Sequence, residues 1–403
     1  MIWELIRLNK RKSAFLILVM GVLLLLLGYV VGHALFPPDG GFIGVVIAFI
    51  IWLIQVLVAM NSGSQILLSA SHARKITEDV HPRLFHVVEE MRLAANLPAM
   101  PEVYIIETEA PNAFATGKSP EKSAVAVTAG LLSRLNRDEL QGVVAHEMSH
   151  IANRDIRYMT FAAVMLGSIV IISEIFLRGM FYSSGSRYRS SKGSGQGQLI
   201  IMVVAIVLAI LAPLAAQLFY FSLSRKREYL ADASAARLTR YPEGLASALE
   251  KIADNSAEIA SASKVTAPLY IVNPLKAKGR KVSDLTSTHP PISERIRILR
   301  AMAGNAGFAS YQEAFSSVKG TRSRIIPGSA LAATDEAGMR EMVSEAGISP
   351  DARSFKRSAG DIIMAANGYR FLNCSCGLKI KIPAEYREST ITCPRCGRIH
   401  EVK

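Results

Sequence analysis

The sequence predicts membrane-spanning α-helices joined to a mostly helical α+β domain, with a small cysteine-based module near the C-terminus. Three observations predict this. Apolar residues make up 50% of the 403 positions and gather in long uncharged blocks. Helical and strand-like periodicities alternate between the blocks, and all four cysteines lie between positions 374 and 396.

The blocks Ala14 to Phe36 and Phe42 to Met60 carry no formal charge. Each is near the ~20 residues that span ~30 Å of hydrocarbon as a helix. Leu199 to Phe221 is a third strong candidate, because the bilayer tolerates Pro213 inside a helix, whereas Met159 to Leu177 is weaker with Glu174 near its end. The first block is too long for a signal-peptide core, lacks an A-x-A site, and is followed at once by a second span, so it reads as an uncleaved anchor. Lys10, Arg11 and Lys12 before it place the N-terminus in the cytoplasm of a bacterial-type inner-membrane, multi-pass protein. Two crossings then return the chain to the cytoplasmic side near Ser71 to Lys75.

The mean hydropathy of +0.26 is high for a soluble protein. The net charge of +13 fits the excess of Lys and Arg in cytoplasmic loops facing anionic lipid. Nucleic-acid binding is set aside, since the positive charges are scattered along membrane flanks and tails without an aromatic stacking platform.

Asn136 followed by Glu139 reads as a capping box, and Leu140, Val143, Val144, Met148 and Ile151 then recur at helical spacing. This helix carries His146-Glu147-Met148-Ser149-His150. Two histidines four apart share a helix face, where their imidazoles can hold one Zn²⁺ while Glu147 reaches a metal-bound water, the chemistry of a metallopeptidase. Such a site needs a third protein ligand. The best candidate is Glu228 in Ser224 to Asp232, where Glu228 and Asp232 are again four apart on a helix. One carboxylate can then bind metal while the other reaches a ligating histidine. Asn112 to Gly117, taken alone, reads as a strand and turn.

With these motifs in order, the chain resembles the HtpX-like membrane zinc metallopeptidases, relatives of the CaaX-prenyl proteases. The resemblance runs to about Ala301 and rests on Pro111 to Gly117, the HEMSH helix with Asn153-Arg154-Asp155 after it, the SRKREYLAD segment, and Thr288-His289-Pro290-Pro291 leading to Arg295. It implies a gluzincin-type domain in which His146, His150 and Glu228 bind catalytic zinc. It further implies that Glu147 is the general base and acid, that Asp232 orients a zinc-ligating histidine, and that His289 contacts the tetrahedral intermediate. Asn112 to Gly117 would be an edge strand on which a polypeptide lies extended through backbone hydrogen bonds, with Asn112, Ala113, Phe114 and Ala115 as the substrate-binding residues. The implied role is quality control, cutting misfolded or damaged membrane proteins at the cytoplasmic face.

The domain boundaries expected are a two-span anchor over 1–71 and a peptidase domain over 72–301. An apolar hairpin at 159–221, with a Ser/Gly-rich loop at 183–198, interrupts the latter. Residues 302–360 read as a linker with short helices, Thr334 to Ala346 among them, and 361–403 as a separate module. There Cys374, Cys376, Cys393 and Cys396 form two cysteine turns, while Leu378 to Ile382 alternates like a strand and Ile399 to Val402 can add another. The pattern resembles a zinc ribbon with a second, structural zinc, and a reducing compartment favours zinc over two disulfides. The C-x-C spacing of the first pair is tighter than the usual C-x₂-C. Two further functions stay open on the sequence: processing of a dedicated membrane or lipidated substrate, and a non-catalytic scaffold that presents the ribbon.

Overall fold

The computed structural model describes residues 2–36, 38–183, 195–255, 259, 269–272, 289–331, 338–341 and 352–402. The two N-terminal apolar blocks form a helical hairpin, α1 (Ile2–Leu35) and α2 (Gly40–Ala70). Glycines let these helices touch backbone to backbone, since a Cβ on Gly44 would lie 2.0 Å from the Gly28 carbonyl oxygen. Small residues of this kind replace the hydrophobic effect as the basis of helix packing inside lipid.

A short strand β1 (Ala73–Lys75) and α3 (Pro82–Ala94) lead into β2 (Glu102–Ile106), β3 (Ala113–Ser119) and β4 (Lys122–Thr128). The strand order is β1-β2-β4-β3, with β2 and β4 parallel and the other pairs antiparallel, so β3 lies at the edge as the resemblance implies. Successive side chains of a strand point to opposite faces. Here Val103, Ile105, Ala113, Ala115, Val125 and Val127 enter one core, while Tyr104, Ile106, Phe114, Ala124 and Ala126 enter a second with Met20, Leu24, Leu67 and Met159 of the apolar helices. Both faces of the sheet are thus buried. That burial fixes the α+β domain onto the helical bundle.

The chain continues through α4 (Ala129–Arg134), α5 (Arg137–Ala152), α6 (Asp155–Ser183), α7 (Gly195–Thr239) and α8 (Pro242–Ala253). Three stretches are long and apolar enough to cross a bilayer: Ile17–Ala34, Gly40–Ala70 and Asp155–Arg178, while α7 offers the shorter Val203–Ala216 among described residues. The block at Met159 to Leu177, the weaker of the last two in the sequence, is thus long and apolar enough to span. Glu174, which lowered the rank of this block, sits at its end 3.5 Å from Arg178, one turn on. A charge so placed reaches the interface at modest cost. Helix α7 packs on α1 and α6 and runs without interruption from the apolar bundle into the α+β domain. Most of the Ser/Gly-rich segment, 184–194, lies outside the described residues.

Beyond α9 (Ile292–Arg300), α10 (Phe308–Lys319) buries Tyr311, Ala314 and Phe315 in the main core, and α11 (Gly328–Leu331) adds Ala330. Residues 302–331 are therefore packed chain. The helix expected at Thr334 to Ala346 falls mostly outside the described residues, and 338–341 within it are not helical. Helix α12 (Ala352–Ala366) joins the last module to the domain. Phe355 lies under the Arg134 guanidinium, and Asp361 pairs with Lys379 and Lys381 at 2.7 and 2.8 Å. The module itself is two hairpins, β5 (Arg370–Asn373) with β6 (Lys379–Ile382) and β7 (Thr390–Thr392) with β8 (Ile399–Glu401).

Candidate metal centres

Helix α5 begins with the capping box read from the sequence: the Asn136 side chain accepts from the Glu139 N–H at 2.9 Å, and the Glu139 carboxylate accepts from the Asn136 N–H at 2.9 Å. Reciprocal capping fixes the start of the helix. The 3.6-residue repeat then places His146 and His150 on one face, with Nε2 atoms 3.2 Å apart. After α5 the chain turns through Arg154 in the left-handed region, φ 58°, and enters α6 at Asp155. That reversal brings Asp155 Oδ2 to 3.4 Å from His150 Nδ1.

Helix α7 supplies the opposite wall. Glu228 Oε2 is 3.5 Å from His146 Nε2, and Oε1 is 3.6 Å from His150 Nε2. One turn on, Asp232 Oδ1 is 3.0 Å from His146 Nδ1. Arg295 of α9 holds Asp232 with two parallel hydrogen bonds, from Nε at 2.8 Å and from Nη2 at 2.6 Å. His289 precedes that helix, and its Nδ1 lies 2.8 Å from Glu228 Oε2. Each of these side chains is at most 5% exposed.

Ligand atoms about 2.0–2.1 Å from a tetrahedral zinc stand about 3.4 Å apart. The separations of 3.2, 3.5 and 3.6 Å among His146, His150 and Glu228 match that spacing. Both Glu228 carboxylate oxygens are buried and close to histidine nitrogens, yet lack an aligned hydrogen-bond donor. A buried carboxylate is costly unless compensated, and Arg295 Nη1, 3.7 Å from Oε2, stands too far to donate, so the donor set fits a metal. Burial raises the Asp232 pKa, but the charge and hydrogen bonds of Arg295 outweigh it and hold the carboxyl below its usual range. Asp232 therefore stays an anion facing the His146 ring. Glu147 is 2% exposed and its pKa is raised, first by burial and also by Glu228, against the pull of His146, His150 and the Ala115 N–H.

The edge strand meets this centre from one side. Asn112, Ala113, Phe114 and Ala115 are all buried, and the Ala115 N–H faces the Glu147 carboxylate. The Phe114 ring points the other way and packs edge-on against Tyr270, with centroids 5.1 Å apart. Asp155 and Arg295 were visible in the sequence only as motif residues without a role. Their signal is faint because each acts across a chain reversal or a gap of 63 positions.

In the last module the four cysteine sulfurs converge within 4.8 Å. Cys374 and Cys396 are 3.5 Å apart, Cys376 and Cys393 are 3.7 Å apart, and all four are free thiols. Sulfurs about 2.3 Å from a tetrahedral zinc would stand about 3.8 Å apart. The shorter C-x-C turn therefore still delivers both of its sulfurs. Gly377 and Gly397, each after the second cysteine of its turn, take φ of 81° and 73°, which closes the two turns alike.

A buried histidine pair and glutamate around an HExxH helix, set beneath a bundle of apolar helices, defines a membrane metallopeptidase. Residues 78–303 match Peptidase family M48, and the chain belongs to that family. It is similar to the Protease HtpX homolog of Dictyoglomus turgidum, at 49% identity over 300 residues covering 74% of this chain and 94% of that protein. The Protease HtpX homolog of Listeria monocytogenes serotype 4a is 43% identical over 308 residues, covering 75% and 100%. A crystal structure of S. mikatae Ste24p aligns with a TM-score of 0.39 and 20% identity, over 73% of this chain and 66% of that one. Family membership removes the non-catalytic scaffold from consideration.

Proposed function

We propose that the chain is a zinc endopeptidase that cuts misfolded or damaged membrane proteins at the cytoplasmic face. The observation that carries this reading is the spacing of His146, His150 and Glu228 about one buried point, with the Glu228 oxygens short of donors. Zinc held there would polarise a peptide carbonyl and acidify water. Glu147 then takes the proton from the attacking water and returns it to the leaving amine. Asp232 and Asp155 fix the ring orientations of His146 and His150 through their Nδ1 atoms. His289 sits beside Glu228, within reach of a charge developing on the substrate. The polypeptide lies extended along the free edge of β3, where backbone pairing tolerates many sequences.

The test is cleavage of casein, an unfolded soluble substrate, by the purified protein in detergent. Proteolysis that a chelator stops and zinc restores is the expected result, and activity indifferent to both would sink the proposal.

Orientation follows from parity. His150 and Glu228 meet, so the chain between them crosses the bilayer an even number of times, and α6 and α7 cross as a pair or not at all. Their apolar length and their packing against α1 support the pair, and the basic N-terminal flank supports a cytoplasmic centre. A cysteine at exposed Asp39, in the turn between the first two spans, should label from outside intact spheroplasts above the background of the parent protein. One at exposed Glu89 should label only after lysis, and the reverse order would invert the topology.

The four thiolates would close a structural zinc site with no open position for substrate. Metal analysis should find two zinc ions per chain in the intact protein and one in a Cys376→Ser/Cys393→Ser variant that still cuts casein. A single zinc in the intact protein would refute the ribbon, and loss of cleavage in the variant would make the module part of the enzyme.

A further inference from the structure

The free edge of β3 is not free along its whole length. The Thr128 N–H donates to the Asn112 carbonyl, which turns Asn112 toward β4 and, by the alternation of a strand, turns Ala113 and Ala115 outward. The outward carbonyl of Ala113 accepts from the Ile271 N–H at 2.9 Å. The Asn112 side chain seals the same contact, donating from Nδ2 to the Val272 carbonyl at 2.7 Å and accepting from the Val272 N–H at 3.3 Å. A second anchor lies behind it, where Arg295 Nη1 donates to the Ile271 carbonyl at 3.2 Å. The same guanidinium holds Asp232, which faces His146. Leu269, Tyr270 and Ile271 are between 0% and 3% exposed, and Tyr270 and Ile271 enter different cores.

We infer that Leu269–Val272 is a fixed bracket that ties the edge strand to the support of the metal centre, with Asn112 as a positioning residue for the strand rather than a contact for substrate. This rests on the peptidase reading above and narrows it: main-chain pairing between substrate and β3 begins past Ala113, at Ala115 beside Glu147. A displaceable plug would show its side chains to solvent. Leu269, Tyr270 and Ile271 are instead buried in two cores, and a buried arginine holds the Ile271 carbonyl, so the segment belongs to the site.

The test uses full-length protein in detergent, a casein-derived fluorogenic peptide, and zinc analysis of each preparation. The variants are Asn112→Ala, Val272→Pro, which lacks the N–H that meets Asn112, and their combination. Loss of one or two hydrogen bonds to the bracket should raise KM about three- to tenfold with catalytic zinc retained. Because both changes break one contact, the combined variant should be no worse than the poorer single one. A lower KM or a faster turnover in Asn112→Ala would overturn the inference and make the segment a competitor for the substrate edge. An unchanged KM would also overturn it, whether zinc is kept or lost with kcat, as would additive losses. Failure of the zinc-loaded wild type to cut the peptide would instead remove the peptidase reading on which the bracket rests.

Discussion

Glu147→Gln should reduce casein cleavage by at least about 100-fold while the protein keeps its catalytic zinc, since general acid–base groups contribute about 10² to 10⁴ in rate. The side chain sits on the helix turn between His146 and His150, is 2% exposed, and does not belong to the cluster of convergent ligand atoms. Glutamine preserves its size and its place beside the Ala115 N–H but cannot carry a proton between water and amine. His146→Ala and Glu228→Ala should also be inactive, but by loss of the metal, because each removes one of the three protein ligands that cluster among the described residues. The pair of measurements separates the two failures. A Glu147→Gln protein that cuts at near wild-type rate would end the assignment of base, and a Glu228→Ala protein with full catalytic zinc would point to a different third ligand.

The parts of this centre that were legible in the sequence are those encoded over a few residues. Asn136 and Glu139 announce a helix start, and His146 and His150 repeat at the spacing of that helix. Glu228 and Asp232 repeat at the same spacing on another helix, and only the HExxH run gives them meaning. What stayed hidden depends on tertiary pairing. Asp155 reaches His150 because the chain reverses at Arg154, which a linear pattern does not show. The bracket at Ile271 is invisible for a similar reason: four apolar residues between polar stretches carry no mark of the strand edge they meet. Residues beyond Ala301 read as linker because α10 and α11 are short and set among Gly, Ser and Pro, yet Tyr311 and Ile326 are fully buried against the domain. In the ribbon the cysteines stood out, whereas β5 and β7 are too short for alternation to register.

Replacing Arg295 should have the largest effect of any residue that touches neither the metal nor the reacting water. Its guanidinium is fully buried and meets Asp232 through two parallel hydrogen bonds, a fork geometry that lysine cannot reproduce. In Arg295→Met the Asp232 carboxylate stays buried without its counter-charge, and breaking such a pair costs about 3–5 kcal/mol. Asp232 must then take up a proton or shift, so the His146 ring loses the partner that fixes its Nδ1, with an expected fall of about 10- to 100-fold in metal affinity. Arg295→Lys should recover little of either property. Asp232→Asn alone should be milder in stability, since asparagine can still accept from the guanidinium. The double variant Asp232→Asn/Arg295→Met should unfold at a higher temperature than Arg295→Met, because it leaves no orphan anion at position 232. Thermal unfolding and zinc titration of the four proteins decide the matter. If Arg295→Met were as stable and bound zinc as tightly as wild type, the Arg295–Asp232–His146 chain would not support the metal centre.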